Sequence, residues 1–401
     1  MIRTRIPTHP SPDDGWASFV SRLESCDPEG LLSSSLSGEG PISELEDGFA
    51  KHLGVAHVLA LSSGTAALAA GLLACGVGPG DECIVSSYDW GSAVAAVRSV
   101  GAEARFADIE ERLWTIDPSS VAEAITPRTT AIVATHILGQ PADVRRLYQV
   151  AQEAGAALIE DCSQSLGAFL EGRATGTFGD AAVFSLGWGK GLCAGEGGLL
   201  VTSSAECYER AVSATQHPQR QLLDGASPNA FALNYRMNPL GALHALSSLP
   251  TLASRCGSAR RRGLALNAAL CDSEGLEPVA ERFGAEHSFY RFVPNLDRSR
   301  WGLPRQIVIE ALGAEGLPVY RGAISTPLNR VLSGDSPSCL VADKRCDEQI
   351  GLVLPASEQL EELVPLYAVA IDKVYEGRSK LGSLGASLVP CAAPPPTFFL
   401  K

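Results

Sequence analysis

Lysine is scarce in this chain, with six residues against twenty-six arginines in 401. Other shortages narrow its class. No apolar run approaches the eighteen or so residues that a membrane helix requires, which predicts no membrane partner. The N-terminal stretch MIRTRIPTHPSPDDG carries no apolar signal region, so the expected compartment is the cytoplasm. Basic blocks are missing: a formal charge of −13 is spread along the chain, which argues against nucleic acid as a partner. Eleven cysteines are present without a CxxC spacing, and they read as reduced thiols rather than a disulfide framework or a zinc site. What remains is a globular composition, 45% hydrophobic and 19% charged, long enough for more than one domain.

The lysine shortage lets each lysine be weighed separately. Lys51 lies on a charged helical face, while Lys344, Lys373, Lys380 and Lys401 fall in the last sixty residues on polar stretches or the tail. Only Lys190, in the glycine-rich run SLGWGKGLCAGEGG at 185–198, follows a buried-looking strand.

From about 56 to 203, short apolar runs alternate with helical ones, which predicts a mostly parallel sheet of seven strands with helices on both faces. The strands read at 57–63, 83–87, 103–109, 130–136, 156–161, 181–186 and 198–203. Helices fit at 42–53, 65–75, 90–100, 119–125, 142–154, 204–214 and 239–270. A smaller α+β unit follows, with an apolar strand FYRFVPNL and helices near 304–315 and 357–376. The organisation expected is a large domain over 1–250, a small C-terminal domain over 251–380 and a poorly ordered tail over 381–401.

Ligands of parallel sheets sit beyond the carboxyl ends of the strands. Those ends carry Ser62 to Thr65, Ser86 to Trp90, His136, Asp161 with Gln164, and Ser185 to Lys190. A P-loop does not fit, because Phe184 stands at its first glycine position and Gly191 follows the lysine. Gly189, Gly191 and Ala194 match GxGxxA, but a strand follows rather than a helix. A lysine forming a Schiff base fits better: it must be held rigidly, lose its proton readily and let a planar ring approach. For pyridoxal phosphate the site also needs a carboxylate at the ring nitrogen, phosphate donors and a flat side chain on the ring face. Asp161 ends a buried strand and supplies the carboxylate, or else is a turn or cap aspartate. Ser63, Gly64 and Thr65 open a helix whose amides face an anion, or simply cap it; Ser185 is placed as a further donor. Trp90 covers a ring face or packs in the core.

The motifs SSGTAAL, GDECIVSSYDW, IEDCSQSLGA, GDAAVFSLGWGKGLCAGEGG and ALNYRMN, in this order, resemble the DegT/DnrJ/EryC1/StrS aminotransferases of pyridoxal-phosphate fold type I, over roughly residues 30 to 375. The resemblance implies Lys190 as the cofactor lysine, Asp161 at the ring nitrogen, Gln164 and Trp90 flanking the ring, and Gly64, Thr65 and Ser185 at the phosphate. It also implies that Asn234 reaches the cofactor of a neighbouring subunit, making a homodimer with shared sites. Lysine rather than histidine at 190 favours transamination over dehydration. The implied reaction moves an amino group from glutamate or glutamine to a ketone of a nucleotide-linked sugar, or of a cyclitol or similar small-molecule precursor. Arg255 and Arg260 to Arg262 either meet a diphosphate or form a solvated helix face. His217 lies near the site or on the surface, and His136 lines the pocket or pairs with backbone. The loop holding Asn234 and Arg236 is expected to lead away from its own chain's strand ends.

Overall fold

The computed structural model describes residues 13–225, 228–332, 338–355 and 359–384. Seven strands form one sheet: β1 (His57–Leu61), β2 (Glu82–Ser86), β3 (Glu103–Ala107), β4 (Thr129–Thr135), β5 (Ala157–Asp161), β8 (Ala181–Ser185) and β9 (Gly198–Thr202). Their order is β1-β9-β8-β5-β4-β2-β3, and β9 alone runs against its neighbours. The seven expected strands and the mostly parallel α/β fold are thus present. Two-residue strands β6 (Phe169–Leu170) and β7 (Arg173–Ala174) form a hairpin that pairs with β10 (Ala285–Glu286), while β11 (Val319–Tyr320) pairs with β12 (Gly351–Leu352).

Apart from the start of the edge strand β3, the strands are largely buried on both faces, which explains why they read as continuous apolar runs. Helix Gly64–Ala74 packs on one side through Ala67, Leu68 and Leu72, and helix Pro41–Leu53 on the other through Leu45 and Phe49. A separate apolar core near the C-terminus gathers Leu266, Leu312, Tyr367 and Ile371 from helices Leu252–Leu270, Arg305–Ala314 and Leu360–Glu376, with Phe292 and Trp301 packed among them.

Four expectations fail in whole or in part. Residues 289–296 make isolated bridges, Phe292 to Leu352 and Asn295 to both Gln349 and Glu277, instead of a strand. Phe289 takes a left-handed φ of 51° and Pro294 has no N–H to donate, so a continuous ladder is broken at both positions. Two helices, Asp13–Ser25 and Pro28–Ser37, precede the first one expected; Asp27 caps the second, accepting from Gly30 N–H, with Pro28 in its first turn. The loop before helix Pro239–Ser248 does reach its own strand ends: Ser62 N–H donates to Tyr235 O at 2.8 Å, and Arg236 bridges Leu61. Of the tail expected to be disordered, residues 381–384 end the helix Arg378–Leu384, and 385–401 lie outside the described residues.

Candidate active site

The β1-to-helix turn sets one corner of the rim. Ser63 is extended at φ −163° and its hydroxyl accepts Ala66 N–H at 3.0 Å, capping helix Gly64–Ala74. A Cβ at Gly64 would lie 2.9 Å from Ser185 Cβ, so only glycine lets the helix start and the end of β8 meet this closely. Gly64, Thr65 and Ser185 therefore stand together, all partly accessible, with helix amides directed outward.

Lys190 follows β8 through the turn in which its N–H donates to Gly187 O. Its Nζ sits 4.7 Å from the centre of the Tyr290 ring, close enough to act on that residue's phenol. Burial would raise the Tyr290 phenol, but Lys190 and Arg291 outweigh it and hold the phenol below its ordinary value. Arg291 also hydrogen-bonds Tyr320, so two phenols and two cations form one cluster at the lysine.

Asp161 ends β5 and is buried. Its Oδ1 accepts Ser163 N–H at 2.9 Å, the turn contact anticipated as the structural alternative, while Oδ2 receives no hydrogen bond from any described residue. Gln164 turns elsewhere: its Oε1 accepts Leu138 N–H at 3.0 Å. Leu138 and Gly139 both take left-handed φ, of 61° and 102°. Leu138 O accepts Arg291 N–H and Gly139 O accepts Ser288 N–H, which seats the segment carrying Tyr290 on the rim. Trp90 is 47% exposed beside the rim, one residue before the N-cap Gly91, and not in the core. Asn234 is exposed at the surface.

A second carboxyl lies under Trp90. Asp89 Oδ1 accepts Trp90 N–H at 2.7 Å and Oδ2 meets Thr135 Oγ1 at 2.5 Å. Burial first, and the Asp161 charge second, push the Asp89 carboxyl up to about 8 against the pull of these bonds and of Lys190. That balance favours the neutral acid. Asp89 fell within the Ser86–Trp90 rim segment but was given no role, and the Tyr290–Arg291 pair was not a sequence candidate. The aspartate was visible in SSYDW, but its burial was not; Tyr290 lay in a segment read as an ordinary strand.

The histidines and arginines resolve into supporting roles. His136 Nδ1 accepts Ala142 N–H, so Nε2 carries the proton and donates to Glu160 Oε2 at 3.0 Å. Glu160 also accepts the amides of Gly176, Phe178 and Gly179. Burial works to raise its carboxyl, yet His136 and these amides hold it below its ordinary value. Cys162 lies near both, but the imidazole and carboxylate are already committed, so the trio is a brace and not a metal centre. His217 caps helix Pro218–Leu223. Arg255 donates to Gly191 O and Ser248 O, and Arg260 pairs with Glu281 and His287 O, so neither is a solvated helix face.

The family pattern matches residues 29–363. The chain belongs to the DegT/DnrJ/EryC1/StrS aminotransferase family. It is 33% identical to an L-glutamine:2-deoxy-scyllo-inosose aminotransferase of Streptoalloteichus tenebrarius, over 82% of this chain and 81% of the other. A UDP-N-acetyl-3-dehydro-alpha-D-glucosamine 3-aminotransferase of Acidithiobacillus ferrooxidans is 34% identical over 66% of this chain and 69% of its own. Among solved structures, DesI in the presence of its TDP-sugar product superposes with a TM-score of 0.78 at 28% identity, covering 91% of this chain and 92% of that one. The fold of this aminotransferase is therefore that of fold type I, and among the described residues no helix is long and apolar enough to cross a membrane.

Proposed function

We propose that this aminotransferase binds pyridoxal phosphate at the rim and moves an amino group from L-glutamine to the ketone of a cyclitol. The observation that carries the cofactor assignment is Asp161, a buried residue whose Oδ2 receives no hydrogen bond from any described residue and which ends β5 on the same sheet edge as Ser185. Asp161 would face a protonated ring nitrogen; the amides of Gly64 and Thr65 with the Ser185 hydroxyl would hold the phosphate, and Trp90 would cover a ring face. Bound pyridoxal phosphate supplies the conjugated ring that takes up the electrons released when a C–H bond breaks next to the nitrogen. Lys190 Nζ removes the proton from the donor's α-carbon and, in the second half-reaction, delivers one to the former ketone carbon. Tyr290 holds that Nζ in place with its ring, and Gln164 fixes the Leu138–Gly139 backbone beneath it.

The choice of a cyclitol follows the arginines. Of the arginines considered for a diphosphate, Arg255, Arg260 and Arg262 are spent on protein carbonyls and on Glu281, and Arg261 is exposed on the helix surface. The L-glutamine:inosose relative fits a substrate without a diphosphate. The UDP-sugar and TDP-sugar relatives favour a nucleotide-linked keto sugar as the second reading. Incubation of the holoenzyme with L-glutamine and either 2-deoxy-scyllo-inosose or a nucleotide-linked keto sugar, read by product mass, decides between them. Amination of the nucleotide sugar alone overturns the cyclitol assignment.

The enzyme works as a homodimer with shared sites. Phe231, 94% exposed, and Leu233 precede Asn234, and Leu222 and Leu223 are exposed on helix Pro218–Leu223; a second copy that covers these side chains would bring Asn234 to the neighbouring rim. Mixed Lys190→Ala and Asn234→Ala subunits, each inactive alone, regain activity on exchange if Asn234 acts across the interface. No recovery after proven exchange refutes sharing. Ten described cysteines, all free, suit a reducing cytoplasm.

A further inference from the structure

The end of the sheet opposite the rim holds a second chemically distinct place. Helix Gly64–Ala74 finishes at Cys75, and helix Ala205–Thr215 begins with Cys207 in its first turn. The two helices pack against each other, which makes the two thiols electrostatic neighbours. Both line a cavity of about 480 Å³ together with Asp180, Ser204, Glu206 and Arg210. Arg210 reaches across the same gap, donating to Ala74 O at 3.4 Å.

We propose that Cys75 and Cys207 are a thiol modification site that a small-molecule disulfide converts to an intramolecular bridge. The neighbouring Cys75 is the largest influence on Cys207; with Thr202 and Arg210 it outweighs burial and the Asp180 charge and brings the Cys207 thiol down to about 7. Cys75 is held above its ordinary value by Cys207 in turn. Cys207 is therefore the nucleophile and Cys75 the resolving thiol. The Cys207 thiolate attacks RSSR, forming Cys207–S–SR and releasing RS⁻. Cys75 then loses its proton and attacks the Cys207 sulfur, displacing the second RS⁻. Overall, two protein thiols and one disulfide become one protein disulfide and two RSH, the protein being oxidised and the reagent reduced. The bridge fastens the far end of the helix whose first turn forms the Gly64 corner, and it leaves the rim untouched.

The holoenzyme is treated with hydroxyethyl disulfide, quenched in acid and mapped by mass spectrometry with fragmentation. A Cys75–Cys207 crosslink is expected, with two of the eleven thiols lost from the titre in denaturant and recovered with dithiothreitol. Cys75→Ser should stop the reaction at a mixed disulfide on Cys207. Cys83→Ser and Cys193→Ser should still form the bridge. A crosslink between other residues, adducts on Cys271 without loss at 75 and 207, or an unchanged Cys207 in Cys75→Ser overturns the proposal. Because Cys75→Ser leaves the rim intact, its transamination rate should match the parent protein, so failure of the bridge is separable from failure of the enzyme assignment.

Discussion

Glu160 and Asp161 are consecutive carboxylates on β5, both buried, and they face opposite sides of the strand. Glu160 is saturated: one imidazole and three backbone amides meet its two oxygens. Asp161 has one amide on one oxygen and a second buried carboxyl, Asp89, as an electrostatic neighbour. Burial alone does not separate a structural acid from a functional one; the count of committed donors does. A fully hydrogen-bonded carboxylate has nothing left to offer a ligand, whereas one with a bare oxygen carries a standing cost that a cation relieves.

The comparison can be broken from either side. The largest effect is expected at the lysine that the Asp161 face serves: Lys190→Ala should lower turnover by about 10⁴-fold and remove the visible absorbance of the bound cofactor. Reductive fixation of pyridoxal phosphate to another lysine would defeat the assignment of the whole rim. On the other face, Glu160→Ala should cost about 3–5 kcal/mol of unfolding free energy in urea, because it strands a buried imidazole and three amides. A loss below about 1 kcal/mol would mean that water replaces the carboxylate and that saturation is not what distinguishes the two acids.

Asp161→Asn should keep the fold, since an amide oxygen still accepts Ser163 N–H, while turnover falls roughly 10²–10³-fold. Unchanged turnover would remove the carboxylate's role. The smallest effect is at Asp89. An acid raised from 3.8 to about 8 in the folded chain loses stability as pH climbs between those values. An amide in its place titrates nowhere in that range, so cofactor-free Asp89→Asn should gain on the parent by about 2 kcal/mol as pH rises from roughly 5 to 6.5. A pH-independent difference would show that the acid is not held neutral.

Much of this arrangement was legible beforehand, for a physical reason. Strands buried on both faces leave continuous apolar runs, and their carboxyl ends are fixed by where those runs stop, so Asp161, Ser185 and Lys190 could be placed on one edge from sequence alone. What comes from elsewhere in the chain was not legible. Tyr290 and Arg291 arrive at Lys190 from a hundred residues downstream, and nothing in the spacing of SFYRF distinguishes a core strand from a segment laid across the rim. The loop at 234–236 was misread because the direction of the following helix was taken to govern it. Backbone pairing with Leu61 and Ser62 governs it instead. The first two helices were passed over in a Ser- and Gly-rich stretch, although Asp27 and Pro28 marked the start of the second.

The contact between the two halves of the chain at the lysine is limited by a single position. A Cβ at Gly139 would fall 2.5 Å from Ser288 Oγ and 2.9 Å from Tyr290 N, and the φ of 102° admits no ordinary side chain. Any larger residue there would lift the 288–291 segment away and draw Tyr290 off Nζ without altering one group that does chemistry. Position 139 thus sets a mutational blind spot: substitutions there would look like catalytic lesions in an assay, while every catalytic side chain remained in the sequence.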